Sequence, residues 1–252
     1  MYELISSSST RIKTALVLFA VFILVSYINT MFVTWLFLGA FMIVGIDEAM
    51  NLFKVKDSTV FQYAAITWII AYFYPYPEIL VLIALVIFAS NLAYKRDMDK
   101  KIFLPFLYPL ISFLTLLTLY NEYGIGVLWW MLFVVASADV GAYYVGRAFG
   151  KTKFCETSPN KTLEGVAGGI VLAAILGPIF AIDGITYLGT LVISIVVAIS
   201  SIFGDLFESY LKREAGVKDS GSILPGHGGV LDRTDGFLFA SVVMLVLLRA
   251  IL

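Results

Sequence analysis

Residues 14–28 read "TALVLFAVFILVSYI", an uninterrupted apolar run that follows two basic residues, Arg11 and Lys13. A run of this kind suits the hydrocarbon core of a bilayer, which a helix of about 20 residues can span. The run is similar to the front of a signal peptide, but no small-residue cleavage site follows it, whereas further apolar runs do. We therefore expect a retained first transmembrane helix.

The rest of the chain repeats this apolar pattern. Hydrophobic residues make up 60% of the 252 residues and charged residues 14%, and the mean hydropathy is +0.94. These values are far from those of a soluble domain and predict an all-α, polytopic integral membrane protein with about nine transmembrane helices. The predicted helices cover residues 12–29, 31–46, 59–75, 79–94, 102–120, 124–147, 165–182, 186–212 and 235–252.

The distribution of basic residues predicts the orientation of these helices, because cytoplasmic loops accumulate Lys and Arg. With nine helices and a cytoplasmic N-terminus, 16 of the 17 basic residues fall on the inside, and Arg249 is the exception. An even number of helices would scatter them over both faces. The loop at residues 95–101, "KRDMDKK", is then a positive-inside anchor without a catalytic role.

Two long cytoplasmic loops separate the later helices, at residues 146–165 and 212–235. Each leads into the N-terminus of a helix, where unpaired N–H groups and the positive end of the helix dipole favour anions. We therefore divide the chain into N-terminal transmembrane helices, residues 1–120, and a transmembrane catalytic region with both loops, residues 121–252.

Carboxylates occur inside two of the predicted helices. Asp139 lies eight residues before Arg147 and hence about 12 Å into the membrane. Insertion of a carboxylate into the membrane at that depth costs about 2.5–3.5 kcal/mol of free energy, so Asp139 should face a water-filled cavity or form a hydrogen bond between helices. The eighth helix carries a polar stripe at spacings of three and four, which lines either a site or a seam with another polar helix. Its members are Ser201, Asp205, Glu208, Ser209 and Lys212.

The stretch "KDSGSILPGHGGVLDRTDG", residues 218–236, combines glycines, both signs of charge and the only histidine. Glycines at this density exclude a helix and let backbone N–H groups approach oxygen anions. Cations suit phosphates, and clustered carboxylates suit Mg²⁺, so the pattern predicts a metal-nucleotide site rather than a disordered basic loop. The cations in and just before the stretch are Lys212, Arg213, Lys218, His227 and Arg233, and the acids are Asp219, Asp232 and Asp235.

The stretch "SYLKREAGVKDSGSILPGHGGVLDRTD", residues 209–235, resembles the signature of the phosphatidate cytidylyltransferases, also called CDP-diacylglycerol synthases. It matches every position of S-x-[apolar]-K-R, K-D, P-x-H-G-G and D-R-x-D. "SADVGAYYVGRAFGK", residues 137–151, and "SPNKTLEGVAGG", residues 158–169, are similar to two further segments of that family. The first 120 residues resemble it only as generic membrane helices.

The resemblance implies transfer of the cytidylyl group from CTP to phosphatidic acid, with CDP-diacylglycerol and pyrophosphate as products. It also implies magnesium, as one ion or two, a membrane lipid as substrate, a homodimer and no nucleic-acid partner. The active site should face the cytoplasm, and the protein should lie in a bacterial inner membrane. A phosphate monoester has a second pKa of about 6, so the attacking phosphate needs no general base at neutral pH.

We assign roles to the site residues on this basis, as hypotheses. The metal ligands are Asp205 and Asp232, with Asp139 and Asp235 as further candidates. The catalytic residues are Lys218, Asp219, His227 and Arg233, with Asp219 as an orienting or metal-linked acid. The substrate-binding residues are Lys161, Ser209, Lys212, Arg213, Gly228 and Gly229.

Two alternatives are an ion-coupled transporter, which uses carboxylates within helices, and another CTP-dependent lipid enzyme similar to a polyprenol kinase. A transporter needs access from both faces, whereas the polar residues here concentrate on the predicted cytoplasmic half. A kinase would share the nucleotide site and differ in its acceptor.

Overall fold

The computed structural model describes residues 2–95 and 100–252, and the described chain is helical without β-strands. This confirms the predicted all-α architecture, while residues 96–99 of the predicted anchor loop, Arg96 among them, lie outside the described residues. The α-helices are α1 Tyr2–Ile28, α2 Met31–Leu52, α3 Thr59–Phe73, α4 Leu80–Tyr94, α5 Phe103–Tyr123, α6 Ile125–Phe149, α7 Leu163–Leu176, α8 Tyr187–Ala215 and α9 Leu231–Ile251. Short 3-10 helices lie at Pro77–Ile79, Lys100–Ile102 and Gly177–Phe180.

Eight helical segments of the described chain are long and apolar enough to cross a membrane, so the protein is a multi-pass membrane protein. The remaining apolar helix, α3, has 15 residues and is about 22 Å long, less than the roughly 30 Å of a hydrocarbon core. The crossing of the membrane by α3, and with it the orientation of the termini, stays a prediction.

Proline explains why α3 is shorter than the predicted span of residues 59–75. Pro75 disfavours the helical conformation of the residue before it. Tyr74 is accordingly extended, with φ −94° and ψ 132°, and α3 ends at Phe73.

Two helices that carry buried carboxylates extend beyond their predicted ends. The second helix was predicted to end at residue 46, but α2 continues to Leu52 and carries the buried Glu48. The last helix was predicted to begin at residue 235, but α9 begins at Leu231. Asp232 and Asp235 therefore both belong to a helix and not to the loop in which Asp232 was predicted.

The chain forms two compact units. The first unit comprises residues 1–117 and 214–234, and the second comprises residues 118–213 and 235–252. The polypeptide passes from one unit to the other within α5, within α8 and within α9. The glycine-rich loop, residues 216–230 between α8 and α9, thus groups with the N-terminal helices, whereas all five residues of the polar stripe on α8 belong to the second unit.

Backbone contact between α6 and α7 organises the second unit. A Cβ at Gly141 of α6 would lie 2.7 Å from the carbonyl oxygen of Gly168, and one at Gly165 of α7 would lie 2.8 Å from that of Ala142. Such close approach through small residues is typical of helices in membranes, where it permits extensive van der Waals contact. In the first unit, α2 and α3 are joined by Trp35, whose Nε1 donates to the carbonyl oxygen of Trp68 at 2.8 Å.

Candidate active site

Three carboxylates of the second unit form an acid cluster, which we define as Asp205, Glu208 and Asp235. One oxygen of each lies within 4.8 Å of the other two. Asp205 and Glu208 are one turn apart on α8, as their spacing predicted, and Asp235 comes from α9. Gly204 permits this approach, because a Cβ there would collide with the carbonyl oxygen of Asp235.

Two lysines neutralise part of the charge of the acid cluster. Lys161 forms an ion pair with Asp205, and Lys212 lies 2.6 Å from Glu208 at the i,i+4 spacing of α8. Glu208 is fully buried and Lys212 nearly so, which is tolerable for charges only when they are paired. Both predicted substrate-binding lysines therefore lie next to carboxylates.

The loop between α6 and α7 positions Lys161 beside Asp205. Backbone bonds between its two sides, from Phe154 N to Lys161 O and from Leu163 N to Thr152 O, are both 2.9 Å long. The side chain of Thr162 caps α7 by accepting from the backbone N–H of Gly165, as is usual for threonine at this position. Lys161 thus precedes a capped helix in an ordered loop.

A cavity of about 460 Å³ lies in the second unit beside Asp205 and Lys161. Asp139, Tyr143 and Arg147 of α6 border it, together with residues of α7 and the preceding loop. Asp139, which is exposed, is not a member of the acid cluster found among the described residues. The structure thus places Asp139 beside the predicted metal ligand Asp205 but outside the group of three carboxylates.

The glycine-rich loop of the first unit contains a tight turn at residues 224–227. His227 N donates to Leu224 O at 2.9 Å, and Gly226 between them has φ +74°. Proline followed by glycine with positive φ is the arrangement of a type II turn. Gly228 also has positive φ, at +84°, and a Cβ there would lie 2.5 Å from a carboxylate oxygen of Asp232.

Asp232 holds the two ends of this loop together. Its Oδ2 accepts from the backbone N–H groups of Ser220 and Gly229, both at 2.8 Å. The hydroxyl oxygen of Ser220 lies 3.0 Å from the same atom. Asp232 is 8% exposed, so this carboxylate is buried among loop donors. The structure places it with the loop of the first unit rather than with the acid cluster of the second.

Glu48 of α2 makes a second set of bonds to the same loop. Its Oε1 accepts from Val230 N, and its Oε2 accepts from Leu231 N, both at 2.8 Å. Its Oε2 also lies 2.9 Å from the Ser220 hydroxyl oxygen. Gly221 makes room for the carboxylate, since a Cβ there would lie 2.6 Å from Glu48 Oε1.

These bonds correct the expectation that the N-terminus of α9 binds a substrate anion. Glu48 accepts from the N–H groups of Val230 and Leu231, and Asp232 lies in the first helical turn. The two carboxylates stabilise the start of this helix by accepting from N–H groups and by interacting with the helix dipole. They therefore occupy the position that a substrate phosphate was expected to take.

A second cavity, which we call the loop pocket, has a volume of about 530 Å³ in the first unit. Arg233 Nε donates to the carbonyl oxygen of His227 at 3.0 Å, and His227 Nδ1 is buried without a hydrogen-bond partner among the described residues. All four predicted catalytic residues therefore line one cavity. The loop pocket is lined by Arg11, Lys218, Asp219, Gly221, Ser222, Leu224, Gly226, His227, Gly228 and Arg233.

The remaining predicted substrate-binding residues lie outside both cavities. Ser209 is half-buried and Arg213 exposed on α8, while Gly229 is buried beside Glu48. Glu48 and Arg11 were not predicted as site residues from the sequence, and Glu208 was predicted as a member of the polar stripe but not as a metal ligand. The stripe contained a signal for Glu208, but Glu48 and Arg11 lie more than 150 residues from their partners, and no local pattern connects them.

Comparison with known proteins agrees with the family resemblance of the loops. The model of the cytidylyltransferase family matches residues 9–251. A phosphatidate cytidylyltransferase of Helicobacter pylori strain J99 is 43% identical over 98% of this chain and 94% of its own length. One of Bacillus subtilis strain 168 is 50% identical over 47% of this chain and 46% of its own length. The match to the relative from Helicobacter thus includes the N-terminal helices, which the sequence had presented only as generic membrane spans.

Proposed function

The chain belongs to the cytidylyltransferase family, and we infer that it is an enzyme that transfers the cytidylyl group of CTP to phosphatidic acid in phospholipid biosynthesis. The products are CDP-diacylglycerol and pyrophosphate. The structural observation that supports this reaction is the acid cluster, which lies on helices long enough to span a bilayer and is paired with Lys161 and Lys212. A lipid acceptor keeps its acyl chains in the membrane, so its phosphate has to be met by groups on such helices.

The reaction joins two anions. A phosphate oxygen of phosphatidic acid attacks the α-phosphorus of CTP, and the bond from that phosphorus to the bridging oxygen of the β-phosphate breaks, so that pyrophosphate leaves. The attacking phosphate is largely deprotonated at neutral pH. The protein therefore has to align the two substrates and offset their charge, and it does not have to remove a proton.

Mg²⁺ is the cofactor that we propose for the acid cluster. Magnesium prefers oxygen ligands and is held in such enzymes by a few carboxylates together with substrate phosphates. Asp205 and Asp235, both predicted as metal ligands, offer such oxygens together with Glu208, within 4.8 Å of one another. The bound ion supplies neutralisation of the triphosphate charge. Asp139 borders the adjacent cavity and stays a further candidate.

Asp232 has a different role in our proposal from the metal-binding role that its sequence position suggested. Its Oδ2 is bonded to Ser220 and Gly229, so its contacts favour folding of the glycine-rich loop. It thereby positions the cations of the loop pocket.

The phosphate-binding groups form two sets in our proposal. Lys161 and Lys212 contact the acid cluster, and Ser209 and Arg213 lie near Lys212 in the sequence of α8. Lys218, His227 and Arg233 belong to the loop pocket with Asp219 as an orienting acid. The buried Nδ1 of His227 is positioned to bond a ligand oxygen.

We also propose the cellular arrangement from the sequence and the relatives. The basic residues favour a cytoplasmic N-terminus and an active site that faces the cytoplasm. The relatives come from bacteria, which supports the inner membrane as the location. The homodimer implied by the family resemblance is part of the same proposal.

The decisive assay incubates purified protein with CTP, Mg²⁺ and phosphatidic acid in mixed micelles. We expect equal amounts of pyrophosphate and CDP-diacylglycerol. A polyprenol kinase-like enzyme would release CDP instead, and a transporter would release neither product. Absence of pyrophosphate with every lipid acceptor tested would refute the proposed function.

A further inference from the structure

The first helix contacts the turn of the glycine-rich loop at two places. The hydroxyl of Thr14 donates to the carbonyl oxygen of Pro225 at 2.8 Å, across 211 residues of sequence. A Cβ at Gly226 would lie 3.0 Å from Cγ of Arg11 and 3.4 Å from its backbone nitrogen. Helix α1 therefore packs against the turn, and Gly226 leaves room for it.

This contact brings Arg11 into the wall of the loop pocket. The pocket is lined by the cations Arg11, Lys218 and Arg233 and by one acid, Asp219, which gives a net charge of +2 with neutral His227. Its volume, about 530 Å³, is within the range of sites for small ligands. Arginine presents a planar fork of donors that matches two oxygens of a phosphate group.

We propose that Arg11 is a phosphate-binding residue, so that the first helix supplies a cation to a substrate of the loop pocket. The proposal rests on the proposed function, since the phosphate belongs to CTP or to phosphatidic acid. By sequence alone, Arg11 serves as a positive-inside anchor of the first transmembrane helix, a role that Lys13 fulfils equally well. The structure separates the two residues, because Arg11 lines the pocket and Lys13 does not.

The test compares Arg11→Ala and Arg11→Lys with Lys13→Ala, which removes the same charge from the same helix away from the pocket. Initial rates are measured with CTP varied at saturating phosphatidic acid, and with the mole fraction of phosphatidic acid varied at saturating CTP. We expect Arg11→Ala to raise one of the two KM values about 5- to 10-fold, the effect of losing one charged hydrogen bond at an exposed site. Arg11→Lys keeps the charge without the fork and should raise it about 2-fold.

The substrate whose KM rises identifies the source of the phosphate: the triphosphate of CTP or the lipid headgroup. Lys13→Ala should match the wild type in both KM values, and all three variants should unfold at the wild-type temperature in the same detergent. Two results would overturn the proposal: KM values of Arg11→Ala equal to those of Lys13→Ala, or a fall in kcat with both KM values unchanged.

A binding measurement separates this proposal from the proposed function. Equilibrium binding of labelled CTP, and of pyrophosphate as its competitor, requires no turnover. If the wild type binds CTP but forms no product, the proposed function fails while the Arg11 variants still report on phosphate binding. If the wild type forms product and Arg11→Ala retains wild-type kinetics for both substrates and wild-type binding of CTP, the proposed function stands and the role of Arg11 fails.

Discussion

At the scale of single residues, the acid cluster gives the most direct test of magnesium binding. Asp205→Asn and Asp235→Asn each replace a carboxyl group, which can bind a metal ion, by an amide at nearly constant volume. We expect turnover to fall by about 100-fold or more and the magnesium concentration for half-maximal rate to rise. Asp183→Asn, in the loop between the 3-10 helix Gly177–Phe180 and α8, is the control and should behave as the wild type. Wild-type magnesium dependence in both cluster variants would contradict the assignment.

Glu48 gives a second test at this scale. Glu48→Gln turns an amide donor toward the backbone N–H groups of Val230 or Leu231, so one bond is lost and two donors oppose each other. We expect the free energy of unfolding to fall by about 1–3 kcal/mol and activity to fall with it.

The neighbouring Asp47→Asn is the matched control for Glu48→Gln, since Asp47 is exposed on the same helix. Thermal unfolding in detergent and the pyrophosphate assay should show little change for this variant. Equal unfolding temperatures for Glu48→Gln and the wild type would show that the loop does not depend on this carboxylate.

Residues could be predicted from the sequence where their partners lie on the same helix. The spacing of Asp205, Glu208 and Lys212 placed them on one face of a helix, and the structure has Glu208 and Lys212 in contact. Glu48 and Ser220 are 172 positions apart. Their pairing depends on how the helices assemble, and a helical period carries no information about that.

At the scale of elements, the contact between α6 and α7 depends on glycine. Gly169→Ala places a methyl group against the carbonyl group of Ala138, and neither backbone can yield without moving its helix. We expect a loss of about 1–3 kcal/mol in stability despite the better helix propensity of alanine. Ala167→Val adds two methyl groups at an exposed position of the same helix and should be close to neutral. The comparison is made by thermal unfolding, and equal effects of the two changes would contradict the packing argument.

The presence of the helices could be predicted, because a long apolar run in a membrane satisfies its backbone hydrogen bonds by forming a helix. The residues at which the helices begin and end depend on nearby residues in some cases and on contacts with other helices in others. Pro75 ends α3 by a local rule that the sequence displays. The start of α9 at Leu231 is stabilised by Glu48 of another helix. That boundary therefore could not be placed from its own segment.

At the scale of the whole molecule, the predicted orientation requires α3 to cross the membrane despite its 15 residues. The chain has one cysteine, Cys155, so Cys155→Ser provides a cysteine-free background. We expect Lys56→Cys, before α3, to react with an impermeant maleimide only from the cytoplasmic side, and Tyr76→Cys, after α3, only from the opposite side. Asp183→Cys should label from the same side as Tyr76→Cys. If both residues that flank α3 label from one side, α3 does not cross and the predicted orientation is wrong.

The grouping of the glycine-rich loop with the N-terminal helices was the large-scale feature that the sequence did not indicate. The motif positions occur in the second half of the chain, and so that half was predicted as the catalytic region. In the structure, Glu48, Thr14 and Arg11, all from the first fifth of the chain, contact or border residues of this loop.

The bonds of Glu48 also set an order for the biogenesis of the protein. Helix α2 enters the membrane early in synthesis, whereas the N–H groups that satisfy its carboxylate belong to residues 230 and 231. Until the ribosome has made nearly the whole chain, the carboxylate of Glu48 is without these hydrogen-bond donors. The loop and the start of α9 therefore reach their final hydrogen bonding with α2 only late in synthesis, once residues 230 and 231 have been made.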